Sequence, residues 1–347
     1  MKKTNVKLHC CPSCRCANLD LTVTGEATTA DIVEGQLQCV NCRLTFPIRK
    51  GLPRFVPASN YAESFGFQWN LHARTQLDSH SGLPISHDRL WTAVGGKGDL
   101  TGQQVLEAGS GAGRFTEVLV ASGAEVVSFD YSTAVDANAS NQKAGAPSNL
   151  HLFQGDIFNI PLREASFDKV ICLGVIQHTP DPERAFRSLA KYVRPGGQLV
   201  IDIYASSPVA WLHWKYLLRP ITRRMKKERL YRFIEVITPP LVPIARFLRR
   251  VAGRAGARLI PIIEYSHLDL PPKLNVQWAI LDTFDMYSPA HDHPQTLESV
   301  ARWFNREGFI EINVRRGLNG VVGSGRRTAV TKAPDRTEDS LPSRASP

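Results

Sequence analysis

The stretch that decides the fold is residues 105–115, "VLEAGSGAGRF". An apolar run there contains the acid Glu107 and is followed by three glycines at alternate positions, Gly109, Gly111 and Gly113. Backbone without Cβ atoms can turn sharply and approach a ligand closely. The pattern therefore predicts a buried strand that turns into a helix, with a ligand at the turn.

Short β-rich runs alternate with helical ones over the following hundred residues. The pattern predicts strands over 103–108, 125–130, 151–154, 168–173 and 198–204. It predicts helices over 113–121 and 182–192, and an antiparallel strand pair over 310–315 and 323–331. Strands separated by helices of this length indicate right-handed crossovers and a parallel sheet, hence an α/β fold.

The glycine spacing does not fit a dinucleotide fingerprint. In Gly-x-Gly-x-x-Gly the third glycine would fall on Arg114, or on Thr116 if the count begins at Gly111. S-adenosylmethionine fits better, because its methionine carboxylate is a small anion for a helix N-terminus. Its cationic amino and sulfonium groups would also offset the buried charge of Glu107.

Two further acids follow the next predicted strands. Asp130 ends the second strand, where a carboxylate can accept both ribose hydroxyls. Asp156 follows the third strand, where an acid can accept from the adenine amino group. Ser132 and Ile157 are predicted to line the same pocket.

Six of the seven cysteines lie within the first 42 residues. Two Cys-x-x-Cys pairs separated by 24 residues can supply four thiolates to a tetrahedral zinc: Cys11, Cys14, Cys39 and Cys42. Such a site has no open position, so the zinc would be structural. Two alternatives stay open: a segment that folds without metal, or replacement of one ligand by Cys10 or Cys16.

Two regions resemble known families. Residues 8–57, with the tail "FPIRKGLPRF", resemble the zinc-ribbon proteins that accompany tRNA, rRNA and release-factor methyltransferases. Residues 103–204 resemble class I S-adenosylmethionine-dependent methyltransferases of the ubiquinone/menaquinone-biosynthesis group. This second likeness is carried by the glycines, the three acids and "LGVIQHTPDP" at 173–182. It implies a Rossmann-like, mostly parallel seven-stranded sheet with a terminal antiparallel hairpin, and adds Leu173 to the cofactor-binding residues.

The positive charge is concentrated in one block. The net charge is +10, and residues 211–258 contain 13 Lys/Arg against 2 Asp/Glu. This block could be a helical cover over the active site, a contact with an anionic membrane, or a contact with RNA. The basic start "MKKTNVKLHCC" and the absence of a run of about 20 apolar residues favour a cytoplasmic chain, with peripheral membrane contact as an open alternative.

These patterns divide the chain. We expect a zinc ribbon over 1–57, a linker or flap with alternating aromatic residues over 58–99, and a methyltransferase domain over 100–332. Within the last, 205–280 is expected to be a basic helical insert on the substrate side. The polar tail 333–347 is predicted to be disordered.

The resemblance implies methyl transfer by in-line displacement to a small-molecule, glycan or lipid-type acceptor. The alternatives are an rRNA or tRNA methyltransferase and a scaffold that binds the cofactor without turnover. "LGVI" stands where many base-nitrogen methyltransferases carry an "NPPY"-type tetrapeptide. His178 is the candidate base, or it positions its turn. Other candidates for the acceptor wall follow later in the chain: Asp285, Tyr287, His291 and His293.

Overall fold

The computed structural model describes residues 1–24, 31–57, 60–96, 98–142, 147–206 and 214–329 of the chain. The N-terminal region begins with a 3-10 helix, Lys3–Leu8, and forms a small antiparallel sheet. Its strands are β1 (Leu19–Val23), β2 (Gly35–Cys39), β3 (Thr45–Arg49) and β4 (Leu52–Pro53). Alternate side chains such as Leu37 and Ile48 are buried, as the period of two along a strand requires.

A second sheet of seven strands forms the centre of the chain, in the order β10-β11-β9-β8-β5-β6-β7. The strands β5 to β9 run parallel to one another, and β11 pairs antiparallel with both β9 and β10. This confirms the predicted α/β class and its terminal hairpin. The strands are β5 (Gln104–Ala108), β6 (Glu125–Asp130), β7 (Leu150–Gln154), β8 (Phe167–Leu173), β9 (Val193–Ile203), β10 (Phe309–Arg316) and β11 (Val321–Arg327).

Ten α-helices connect or cover these strands in the described residues. They are α1 (Glu63–Leu71), α2 (Asp78–Ser81), α3 (Ile85–Val94), α4 (Thr116–Ala121), α5 (Ala134–Gln142), α6 (Pro182–Ala190), α7 (Trp214–Thr222), α8 (Lys227–Ala257), α9 (Pro272–Tyr287) and α10 (Leu297–Arg306). The central strands are buried, as strands with helices on both faces must be: Val105, Val170 and Leu199 are fully enclosed. Within the described part of the chain, no helix has both the length and the apolar character needed to cross a bilayer.

Two boundaries differ from the sequence prediction for local reasons. Helix α4 begins at Thr116 instead of residue 113, because the preceding glycines adopt positive φ and extend the turn. Strand β9 begins at Val193, so the "RPGG" turn forms the start of a long strand. The predicted disordered tail lies outside the described residues, as do the last two residues of the predicted 323–331 strand.

The N-terminal sheet packs on the β7 edge of the central sheet. The Phe55 amide donates to the Gln154 carbonyl at 2.9 Å, and Arg54 forms an ion pair with Asp136 at 2.6 Å. The Arg15 guanidinium donates to two main-chain carbonyls of the loop after β7, at 2.7 and 2.6 Å. One hydrophobic cluster runs through both sheets, so the two parts share a core.

A buried histidine pair lies in this contact. His9 and His151 face each other through their Nε2 atoms at 2.7 Å. His9 Nδ1 contacts the Pro161 carbonyl, which can only accept, and His151 Nδ1 contacts the Asn5 side-chain amide nitrogen, which can only donate. His9 Nε2 is therefore the acceptor and His151 Nε2 the donor, and both rings are neutral. Burial lowers the pKa of His9 to about 4, consistent with this assignment.

Candidate functional site: one cavity with two halves

A cavity of about 1220 Å³ opens at the carboxyl ends of the parallel strands. Gly109 follows β5, Asp130 ends β6, and Leu173 ends β8; all three line the cavity. The carboxyl ends of parallel strands meet at one edge of a sheet, which is where α/β folds bind ligands. Residues far along the chain, including Arg254, line its other side.

The glycine loop, residues 109–113, has backbone conformations and close contacts that only glycine can accommodate. Gly109 and Gly113 have φ of 80° and 95°. A Cβ on Gly109 would overlap the Val175 side chain, and one on Gly113 would overlap the Asn138 side chain. Packing alone therefore requires backbone without a Cβ atom at these two positions.

Asp130 fixes this loop and faces the cavity. Its Oδ2 accepts from the Gly111 amide at 2.9 Å, and its Oδ1 accepts from the Ser132 amide at 2.8 Å and hydroxyl at 2.7 Å. Burial raises the pKa of Asp130, and these three donors oppose that rise. Ser132, by contrast, is buried behind Asp130 and is not among the described residues lining the cavity.

Glu107 lies beneath the loop, not in the described cavity wall. One carboxylate oxygen accepts from the Thr116 hydroxyl at 2.6 Å and from the Ser128 hydroxyl at 2.7 Å. The other oxygen is buried with no hydrogen-bond partner among the described residues. Burial raises the pKa of Glu107 to about 7. The orphaned oxygen leaves room for one more donor, which fits a site for a cationic group nearby.

Asp156 orders the turn after β7. Its carboxylate accepts from the Phe158 amide at 2.9 Å and from the Asn159 side chain at 3.1 Å. The described cavity wall contains its neighbour Ile157 and not Asp156 itself. The structure thus brings five of the nine predicted cofactor residues to the wall: Gly109, Gly111, Asp130, Ile157 and Leu173.

His178 lines the middle of the cavity. Its ring lies 5.0 Å from that of Phe65 and 5.4 Å from that of Tyr204, measured between centroids. Its Nδ1 contacts the His291 carbonyl at 3.1 Å, and a carbonyl accepts, so Nδ1 carries the proton. Nε2 is then left as an acceptor. Burial lowers the pKa of His178, which keeps the ring neutral near pH 7.

Two acids of α9 lie three residues apart and line the cavity. Asp285 accepts from the Tyr204 hydroxyl at 3.3 Å and from the Gln68 side chain at 3.4 Å. Asp282 accepts from Gln76 at 3.1 Å and from the Tyr265 hydroxyl. Burial raises the pKa of Asp282 to about 6. The sequence predicted Asp285 as a site residue but not Asp282, although two acids at i and i+3 of a mostly apolar helix indicate such a site.

Three cations that line the cavity pair with buried acids. Arg89 donates to both oxygens of Asp202 at 3.1 Å. Lys215 and Arg219 share Asp292, at 2.8 and 2.7 Å. None of these cations was predicted as a site residue. Tyr287 and His293, which were, are not among the described lining residues, and Tyr287 donates to the Pro261 carbonyl.

Some aromatic residues of the predicted linker line the cavity, and another packs against neighbouring helices. Phe65 and Trp69 lie four residues apart on α1 and line the cavity, and the Trp69 indole lies against Gly111. Phe67 faces away and contacts the rings of Tyr231 and Phe284. Helix α1 is therefore both cover and packing element.

The cysteine cluster at the N-terminus has the dimensions of a zinc site. The Sγ atoms of Cys11, Cys14, Cys39 and Cys42 all lie within 4.8 Å of one another, and two pairs are 3.5 Å apart. Zinc–sulfur bonds of about 2.3 Å require sulfur separations of about 3.8 Å in a tetrahedron. Cys10 and Cys16 instead contact the carbonyls of Leu162 and Asn18, so neither replaces a ligand. The cluster is a structural zinc site with four protein ligands.

Comparison with known proteins identifies two domains. Residues 106–201 match the model of a methyltransferase domain, and residues 10–51 match that of Trm112p-like proteins. The chain therefore contains a methyltransferase domain with the class I fold and a zinc ribbon of the Trm112p-like kind.

Curated relatives align over part of their length. A ubiquinone biosynthesis O-methyltransferase of Coxiella burnetii is 30% identical over 114 residues, which cover 33% of this chain and 49% of that protein. The corresponding protein of Aromatoleum aromaticum is 29% identical over 175 residues, 46% of this chain and 68% of that one. The chain thus spans half or less of the first curated relatives it matches.

Among solved structures, a complex of the Haloferax volcanii Trm112 methyltransferase activator with a methyltransferase is 12% identical. The alignment covers 77% of this chain and 98% of that one, with a TM-score of 0.41. A likeness at this level carries no argument about partners.

Proposed function

We propose that the protein is an S-adenosylmethionine-dependent methyltransferase that acts on a small-molecule acceptor by in-line displacement. The observation that carries the proposal is Asp130. Its carboxylate holds the Gly111 amide, faces the cavity, and ends the second strand of a domain that matches methyltransferases. Several relatives are named as ubiquinone-biosynthesis or demethylmenaquinone methyltransferases, and these names support a small-molecule acceptor.

In this proposal the cofactor occupies the half of the cavity beside the glycine loop. Asp130 would accept the ribose hydroxyls, and Ile157 and Leu173 would flank the adenine. Ser132 would hold Asp130, Gly113 would let the loop bend, and Asp156 would order the turn after β7. The unpaired oxygen of Glu107 would be left for a nearby cationic group of the cofactor. S-adenosylmethionine supplies an already activated methyl group, so the main task of the protein is to hold the acceptor in near-attack geometry.

The acceptor would occupy the half lined by α1, α7 and α9. If its reacting group carries a proton, His178 Nε2 is the neutral acceptor for it, and the lowered pKa keeps that atom available near pH 7. Asp285, which lines the same half, stabilises the resulting imidazolium, because its charge raises the pKa of His178. This division assigns proton removal to His178 and orientation to the α9 acids.

An RNA acceptor is the less favoured alternative. Three cations of the cavity wall, Arg89, Lys215 and Arg219, are paired with buried acids, and the relatives with known names act on small molecules by those names. Glycan and lipid precursors remain within the proposed class of acceptors.

The proposal includes the division of the chain into 1–57, 58–99 and 100–332, with the insert at 205–280. It also places the protein in the cytoplasm, where thiolate zinc sites persist, with peripheral contact to an anionic membrane through 211–258.

Two measurements test the proposal. Titration calorimetry should show that S-adenosylmethionine binds to the full chain, whereas NAD does not. Metabolite profiles of cells with and without the protein should then differ by a compound and its homologue with one fewer methylene. Cofactor binding without any methylated product would indicate a non-catalytic scaffold. No cofactor binding would contradict the proposal outright.

A further inference from the structure

Helix α8 carries an exposed apolar stripe, and we propose that this stripe docks the protein on an anionic lipid bilayer. The role of docking rests on the proposed function, because docking would bring the mouth of the cavity to the membrane surface. The geometric evidence for docking comes from helix α8 itself.

The stripe consists of five large apolar side chains that are 48–73% exposed: Phe233, Val236, Ile244, Phe247 and Val251. Their spacings of three, eight, three and four residues place them on one face of a helix with 3.6 residues per turn. Pro240, also exposed, lies between the two groups on the same face. The stripe is about 27 Å long, at 1.5 Å per residue.

This stripe is not the face by which α8 joins the protein. Leu230, Ile234 and Ala245 are buried. The first two belong to the hydrophobic cluster that includes Ile280 and Phe284 of α9. The helix therefore has one apolar face for the core and a second in solvent. A contiguous exposed apolar surface of this length is unusual on a soluble domain and marks an interaction site.

The charges beside the stripe select the kind of partner. Arg232, Arg246 and Arg250 are exposed along its border, and residues 211–258 carry 13 Lys/Arg against 2 Asp/Glu. An apolar stripe bordered by arginines complements a bilayer, whose acyl region takes the apolar side chains while anionic headgroups meet the cations. This charge complementarity favours an anionic membrane over a second copy of this basic chain.

The stripe also continues into the cavity. Just beyond Val251 the helix bends at Ala252 and Gly253, which have non-helical backbone angles. The next exposed residues, Arg254, Arg258 and Leu259, line the cavity. An acceptor held in the headgroup region would thus meet the open end of the cavity, with two arginines beside it.

Sedimentation of the full chain with lipid vesicles tests the proposal. Vesicles of phosphatidylcholine alone are compared with vesicles containing about 30% phosphatidylglycerol, at about 0.05 M and about 0.5 M salt. The wild type should bind the anionic vesicles and lose binding in high salt. The double substitution Phe247→Ser/Val251→Ser should weaken binding at least about tenfold, because two apolar side chains no longer enter the bilayer. Val33→Ser, at an exposed apolar residue of the zinc ribbon, should bind like the wild type.

Three results would overturn the proposal. The proposal is wrong if the wild-type protein does not bind anionic vesicles. It is also wrong if the double variant binds them as tightly as the wild type. A wild-type dimer in light scattering that the double substitution makes monomeric would show instead that the stripe is covered by a second copy. Calorimetry with S-adenosylmethionine, run on the same samples, separates this proposal from the methyltransferase proposal: absent vesicle binding with intact cofactor binding rejects the docking surface and the membrane contact of 211–258, and leaves the methyltransferase proposal standing.

Discussion

The two halves of the cavity hold their polar groups in different ways. The glycine loop of the cofactor half is held by local contacts, because Asp130 accepts from two amides and a hydroxyl that lie within 19 residues of it. The acceptor half is assembled from remote segments: Gln76 meets Asp282 across 206 positions, and Arg89 meets Asp202 across 113. A short motif can therefore specify the first half, whereas only the complete fold can specify the second.

Among these predictions the largest effect should come from Gly109→Ala, in the cofactor half. A Cβ there combines a positive φ of 80° with overlap of Val175, so we expect a loss of about 3 kcal/mol in the free energy of unfolding. Gly95→Ala is the matched control, because its φ is 75° and nothing lies within 4 Å; it should cost about 1 kcal/mol. Urea denaturation measures both. Equal losses would mean that strain alone, and not close packing, requires glycine in the loop.

The substitution His178→Asn should lower the methyl-transfer rate without changing cofactor affinity, and so distinguish the acceptor half from the cofactor half. Asparagine can still donate to the His291 carbonyl but cannot act as a base, so the methyl-transfer rate should fall about a hundredfold for a hydroxyl acceptor. The dissociation constant of S-adenosylmethionine should stay unchanged. His293→Asn, outside the described cavity wall, should leave both quantities unaltered. A changed cofactor affinity in His178→Asn would break the division into halves.

Asp130→Asn should weaken cofactor binding about tenfold, since a neutral amide replaces the carboxylate that would accept both ribose hydroxyls. Asp156→Asn should change the affinity by about twofold or less, because Asp156 is not among the described lining residues and its carboxylate already accepts from the Phe158 amide. Calorimetry on the two variants gives the comparison. The reverse ranking would place the cofactor nearer to β7 than we propose.

The smallest of these effects is the contribution of the raised pKa of Glu107 to the pH dependence of the free energy of unfolding. Its pKa is about 7 in the folded protein against 4.5 for an unperturbed glutamate, so the folded state binds this proton more tightly. The contribution of Glu107 to the free energy of unfolding should therefore fall as pH rises from about 4.5 through 7, by up to about 1 kcal/mol per pH unit. Buried neutral histidines such as His9, whose pKa is lowered, contribute the opposite slope over this range, so the quantity to measure is the difference between the wild type and Glu107→Gln. The stability of the wild type relative to Glu107→Gln should fall as pH rises, whereas its stability relative to Glu125→Gln, exposed on β6, should stay constant. A difference from Glu107→Gln that stays constant or rises with pH would contradict the burial argument.

The sequence predicted what short-range patterns determine. Alternating glycines predicted the bend after β5, hydrophobic runs predicted every strand of the central sheet, and paired cysteines predicted the zinc site. It did not predict the partners that Glu107 and Asp156 find within the fold, because the Thr116 hydroxyl and the Asn159 side chain meet these carboxylates only in the folded chain. Arg89 and Asp282 were missed because their partners are distant in sequence.

The most direct test of the central claim is a crystal structure of the full chain with S-adenosylhomocysteine. Our account predicts the nucleoside at the carboxyl ends of β5 and β6, with both ribose hydroxyls within hydrogen-bond distance of Asp130 and the adenine beside Ile157 and Leu173. The sulfur should point toward the half that contains His178. A nucleoside bound elsewhere, or an Asp130 carboxylate that makes no contact with it, would contradict the account.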